Sequence, residues 1–580
     1  MKINRSVVLC ISLLISIQIL KSQSYDVVVS SDFKPTLKFQ PTKTKQSATL
    51  FDTTSIKQTF KYEVEDMIWM HEYSPEPINA PKVGKDQIVR LYRNYAKAGF
   101  GYLEPYVEFS HSNLRTKKWA YGVNVKHHSY WGKVKGYGNA SFANSEVDLY
   151  SQNFLKNFII ESRLGYSHDI VHCYGYNTDT LKKYYGITDA HLPKAKNTVR
   201  HYQHLYATIS GISNYGKWSN GLSQVYTLDY DFLYDNYQSH EHLLGLNTSL
   251  MQTIDIPRLS SSKVGGDIHL NYFHNEWKNQ SLKEDNWLFA LNPKMEMTYN
   301  NYSFRIGFQM ALGLRDSSHF GFYPDIEATF NVVPNILSFY VGLGGDMERY
   351  SYLSSMKLNP YLSDYLDLGF INDQLRVYAG TKTNLSRSLS FGARASLSLL
   401  KNMPFFFNDT NTRALLNDTS VNLANTFIVV SSQSIYTNIH GDLTYRYKEM
   451  LEIVLNFDYN KYTADSIIQK VWYIPMFTTS LDAKYNLKDK FLFSFGFYIY
   501  TGAYRPSFTQ GGSIKAVTLK PTFDFNLGFE YRWDKRLSFF VDLNNFVAQR
   551  NYYYYDYPSE RINFLLGAKY IFGGEKIGKK

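Results

Sequence analysis

Imidazole, thiol and carboxylate side chains are the groups from which proteins build metal sites and acid–base pairs. Three clusters of them stand out in this chain. His168, His172 and Cys173 lie in one short stretch, and together they could hold a soft metal ion. His240 and His242 are two apart, hence on one face of a strand. Glu146 and Asp148 project to one side, beside Glu161 and Asp169 of the stretch that follows, a set that could move protons. The plainer reading is preferred for all three: histidines at the base of a loop, and acids on a wetted wall. The chain has no P-loop, dinucleotide fingerprint, G-x-S-x-G elbow or H-E-x-x-H pair. No enzyme activity, cofactor or metal is therefore expected.

The elements that carry these residues have an unusually clear period. In Pro521–Arg532, Phe523, Phe525, Leu527, Phe529 and Tyr531 alternate with Asp524, Asn526, Glu530 and Arg532. A strand sends successive side chains to opposite faces, so this is a strand with one apolar and one polar side. About 22 such stretches, joined by alternately short and long connections, run from Asn94 to Phe572. That pattern describes an all-β, antiparallel, up-and-down transmembrane barrel with short periplasmic turns and long extracellular loops. Ile453, Leu455, Phe457 and Tyr459 should meet lipid, as should Ile326, Ala328, Phe330 and Val332. Asp325, Glu327, Asp458 and Asn460 should face the lumen. Pro293 interrupts one stretch and predicts a bulge. Several strands are expected to run far outward, among them Trp472–Tyr485, Phe491–Tyr504, Lys515–Trp533 and Leu537–Gln549.

Composition agrees. Aromatic residues make up 17% of the chain, with 50 Tyr and 39 Phe, as the girdles at two membrane interfaces require. Residues 1–24 read as a signal peptide: Lys2 and Arg5 precede the apolar run Val7–Leu20. Its removal takes Cys10 with it and leaves Cys173 as the mature chain's one thiol. Past the signal there is no apolar run of helical membrane-spanning length. The net charge is +11, but export argues against nucleic acid as a partner. Many basic residues sit in the short turns (Lys117, Lys118, Lys448, Lys488, Lys490, Lys535, Arg536), near anionic headgroups. Residues 25–93 form a proline-punctuated, extended periplasmic or lumenal arm. Residues 94–573 form the barrel and 574–580 a tail.

The last stretch, Tyr557–Phe572, resembles the final strand of TonB-dependent receptors from Bacteroidetes, as does Leu537–Tyr552. Ala96–Gly101 and Lys401–Phe406 are similar to segments of a shorter barrel family of that kind. The β-prone run Asp26, Val27, Val28 and Val29 resembles a TonB box, which pairs as a strand with the energy-transducing protein TonB. The resemblance implies an outer-membrane location in a Gram-negative bacterium, transport across that membrane, lipid as a partner and TonB as a candidate one. An accessory role beside another outer-membrane protein or lipoprotein is the alternative. One departure is large: such receptors carry a plug of well over a hundred residues, and the arm is far too short for one. A barrel of about 22 strands has a lumen that is normally filled. The arm, inward-folded loops or a separate partner should occlude it. The loops Asp179–Lys196 and Asn359–Phe370 are rich in Tyr and Leu, and could either face a partner or pack inward.

Overall fold

The computed structural model describes residues 91–574, apart from 114–115, 190–191, 214–220, 410–412, 417–418, 466–469, 509–513 and 555. The signal segment and the TonB-box-like residues Asp26–Val29 lie outside the described residues.

Twenty-two strands form one closed antiparallel sheet. They are β1 (Tyr92–Gly101), β2 (Glu104–Ser112), β3 (Trp119–Tyr130), β4 (Phe142–Phe154), β5 (Phe158–His172), β6 (Val199–Ser213), β7 (Leu222–Asp235) and β8 (Ser239–Thr253). Next come β9 (Ser261–Trp277), β10 (Leu282–Tyr299), β11 (Tyr302–Leu314), β12 (Ser318–Val333), β13 (Leu337–Arg349), β14 (Phe370–Asn384) and β15 (Leu389–Asn408). The last are β16 (Phe427–Tyr447), β17 (Leu451–Ala464), β18 (Phe477–Leu487), β19 (Phe491–Thr501), β20 (Thr522–Arg532), β21 (Leu537–Asn544) and β22 (Asn563–Gly574). Each pairs with the next in sequence. β22 returns to β1, with Ala568 opposite Ala98, so no edge is left unpaired. The expected strand number and topology are those of the structure.

The two rims differ. Both ends of the ring's chain, and turns such as 300–301, 448–450 and 488–490, lie at one rim. The basic turn residues Lys117, Lys448, Lys488 and Arg536 belong to it. The opposite rim carries the long connections 173–198, 350–369, 409–426, 465–476, 502–521 and 545–562.

Alternation sorts the faces as period two requires. Phe457, Ile326, Val332, Leu244 and Leu246 are exposed on the outside. Inside, polar side chains satisfy one another across strands. Asp458 lies 2.7 Å from His440 Nδ1, and Arg305 is held between Asp325 and Glu327 at 3.0 and 3.2 Å.

Two local expectations are corrected. No bulge forms at Pro293: the register with β9 runs unbroken through Pro293 opposite Gly266, and the pairing with β11 lapses at Asn292 and Pro293 but resumes in the same register. Glycines make this possible. A Cβ at Gly307 would lie 2.7 Å from the Pro293 carbonyl oxygen, and one at Gly266 would lie 2.6 Å from that of Asn292. With hydrogen there instead, the neighbouring strands close in around the ring. Register slips fall elsewhere, among them those between Gly344 and Asp346 in β13 and between Leu400 and Met403 in β15. The second correction concerns the outer strand ends. Trp472, Tyr504 and residues 545–549 are not barrel wall, and Ile514–Thr518 pairs with Tyr504–Phe508 in a separate loop hairpin. Aromatic-rich loops carry on the strand-like alternation, so sequence alone overran the rim there.

Candidate functional site

The long loops fold inward and meet over the barrel mouth. The connection 350–369 leads. Ser351 starts a short helix, α1 (Tyr352–Leu358), by accepting the Ser354 N–H at 3.0 Å. Past the helix, Leu362 pairs in parallel with Phe427 of β16. Leu362, Leu366 and Leu368 are fully buried with Tyr202 of β6, Leu233 of β7, Trp277 of β9 and Val429 of β16. Residues contributed by such separated staves can touch only across the lumen. The Tyr- and Leu-rich stretch 359–370 thus packs inward. Of the two orientations open from sequence, the structure takes this one.

Two buried polar knots tie this loop to the wall. In the first, Arg200 and Asp235 are both fully buried, with Nη2 2.6 Å from Oδ2. The Tyr352 hydroxyl donates to the same Asp235 oxygen at 2.5 Å, and Arg200 donates to the Leu362 carbonyl at 2.9 Å. In the second, Glu241 accepts the Tyr352 and Leu353 N–H groups at 2.8 and 2.9 Å. A carboxylate at the first turn of a helix meets the positive end of its dipole. Asn275 donates to Glu241 at 2.8 Å, and Arg349 donates to the Gly369 carbonyl at 3.1 Å. Buried charges persist when paired with an opposite charge and with polar groups in this way, although the Nε of Arg200 and of Arg349 is left without a partner.

A second, aromatic layer joins the other loops. Tyr174, Phe427, Trp472, Tyr473 and Tyr557 are buried together, with Tyr361 and Tyr554 packed against them. Tyr361 and Tyr557 stack with centroids 3.9 Å apart. Tyr174 donates to the Pro558 carbonyl at 3.0 Å, Asn425 to that of Cys173 at 2.6 Å, and Tyr557 to that of Asn425. Cys173 is buried here, and burial pushes its thiol up to about 11.

Against this layer lies a cavity of about 320 Å³. Five residues that line it, Asp524, Asn545, Asn551, Glu560 and Asn563, each carry a buried side-chain oxygen with no protein partner. The three asparagines are oriented by their amide nitrogens, which donate to the Gln549 and Phe523 carbonyls and to Glu104. Their carbonyl oxygens are what remains. The chamber therefore offers acceptors. Burial, followed by the nearby Glu104, pushes the Glu560 carboxyl up to about 7, while the Tyr130 hydroxyl bonded to it opposes the shift. Burial raises Asp556 in the same loop to about 6.

The sequence-derived candidates fare differently. His168 stacks on His201 with ring centroids 5.5 Å apart, His172 Nδ1 lies 2.7 Å from the Ser141 carbonyl, and Cys173 lies in the cap. They form no shared site. Asp148 is bound by Arg163 at 2.5 Å and Tyr206 at 3.0 Å, and Glu161 accepts from Gln152 at 2.8 Å. These acids are a satisfied wall. Sequence reasoning missed Arg200, Asp235 and Glu241. Their one visible signal was charge at the outer ends of strands whose neighbouring loop is apolar.

No family model and no curated protein matches the sequence. Solved structures do. The pyoverdine outer membrane receptor FpvA from Pseudomonas aeruginosa PAO1 is similar at 12% identity and TM-score 0.60, over 84% of this chain and 79% of that one. The siderophore receptor PirA from Acinetobacter baumannii is similar at 11% identity and TM-score 0.61, over 84% and 81%. A mutant of the ferric enterobactin receptor PfeA from Pseudomonas aeruginosa gives 12% identity and TM-score 0.59, over 84% and 82%. At this identity the likeness establishes the fold, a closed 22-strand antiparallel barrel of the outer-membrane receptor type.

Proposed function

We propose that the protein is an outer-membrane transport barrel, resembling TonB-dependent receptors without a full plug, whose outer mouth is gated by its own loops. The observation that carries this is the inward loop cap: a wide lumen is covered at one rim by segments held through a few buried polar knots. Such a cover separates two compartments while it is closed and admits a ligand when it yields. A ligand entering the chamber under it meets acceptor oxygens, and so must bring hydrogen-bond donors or positive charge. The Asp26–Val29 run supplies a reading for energy input through TonB.

Conductance in planar bilayers tests the gate. Replacing residues 353–368 by a short Gly/Ser linker should raise single-channel conductance severalfold over the intact chain. Equal conductance would show that the loops do not close the lumen. Co-purification in detergent supplies the second arm: stoichiometric recovery with another barrel or a lipoprotein would favour an accessory role over transport.

A further inference from the structure

On the outside of the barrel, β8 and β9 place four ligand-type side chains in one block. The register sets His240 opposite Glu276 and His242 opposite His274. In β8 these histidines alternate with Glu241, which points inward to the cap, so they share the outward row of Leu244 and Leu246. The six steps from Leu246 to His240 span about 20 Å of strand. With the usual tilt, the block straddles the edge of an apolar band about 25 Å tall, His240 and Glu276 just beyond it and His242 and His274 just within.

We infer that this block is a site for a divalent transition-metal ion, with His240, His274 and Glu276 as ligands and His242 beside them. The ligand atoms of His240, His274 and Glu276 all lie within 4.8 Å of one another, a spread that small side-chain rotations can close. The imidazole rings of His240, His242 and His274 are 5.6 to 6.3 Å apart. The surroundings favour ligation. His274 Nδ1 lies 2.8 Å from Asp285 Oδ1. A proton held there leaves Nε2 with its lone pair, the carboxylate–histidine arrangement found behind metal-ligating imidazoles. His242 Nδ1 is likewise engaged, 2.9 Å from the Tyr230 hydroxyl. One group competes: Lys283 Nζ lies 2.8 Å from Glu276. Its side chain is largely exposed and can swing aside. Imidazole and carboxylate donors suit Zn²⁺, Ni²⁺ and Cu²⁺ rather than Mg²⁺ or Ca²⁺.

The experiment is Zn²⁺ binding to the detergent-purified full chain, followed by titration calorimetry and elemental analysis after removal of free metal. One equivalent is expected. His274→Ala and Glu276→Gln should each weaken binding at least tenfold, and Asp285→Asn by roughly 10- to 100-fold. Lys283→Ala should tighten binding severalfold, a gain that misfolding cannot imitate. His168→Ala removes a different outward histidine and should change nothing. Absence of stoichiometric Zn²⁺, binding unchanged in His274→Ala, or an equal loss in His168→Ala would overturn the assignment.

Discussion

Asp235 is the residue on which the cap turns, because a fully buried carboxylate there receives both Arg200 and the Tyr352 hydroxyl. Removing the guanidinium would leave that charge uncompensated, at a cost of about 3–5 kcal/mol. Tyr352→Phe removes one donor and should cost about 1–3 kcal/mol. Cys173 reports the effect. Its thiol is buried and poorly ionised, so it reacts with a maleimide only when the cap opens. Tyr352→Phe should speed its labelling about tenfold, the factor that about 1.4 kcal/mol represents. An unchanged rate would mean that the knot does not hold the cap. Glu560 adds a pH dependence. Its carboxyl binds a proton more tightly in the closed cap than in a solvated loop, titrating at about 7 instead of the ordinary 4.5. Closure is thus undiminished below about pH 4.5 and weakens as pH rises towards 7. Cys173 labelling, corrected for the reagent's own pH profile, should accelerate over that interval, and Glu560→Gln should flatten the rise.

At the scale of elements, the strands were legible and the cap was not, for one physical reason. Strand periodicity is written into adjacent residues: Phe523 to Tyr531 declares its faces unaided. A lid contact is not. Tyr174 meets Pro558 and Arg200 meets Leu362 across spans of 384 and 162 residues. Nothing local in either member announces its partner. Residues 359–370 showed their apolar character but not its direction. Pro293 errs in the opposite sense: a local rule predicted a bulge, and the neighbouring strands' Gly266 and Gly307 cancelled it. His240 and His242 show the same limit, since their block is completed only when β9 brings His274 and Glu276 alongside.

At the scale of the whole barrel, the sheet closes into a ring whose outer surface must suit lipid and whose interior must suit water. Leu246 lies halfway along β8 in the outward row. Leu246→Arg should destabilise the folded barrel by about 2–4 kcal/mol, the mid-depth cost of an arginine facing hydrocarbon. Urea titration in lipid bilayers would measure it, and a change below about 0.5 kcal/mol would contradict the assigned face.

The cap also bears on biogenesis. Its aromatic layer packs Tyr174, from the loop after β5, on Tyr557, from the loop before β22, so that layer comes together as β22 approaches β1. Ordering of that layer should therefore accompany closure of the ring rather than precede it. A stalled, still-open sheet would present its aromatic loops uncovered, and protease sensitivity of those loops would mark an unfinished barrel before any loss of its strands could be seen.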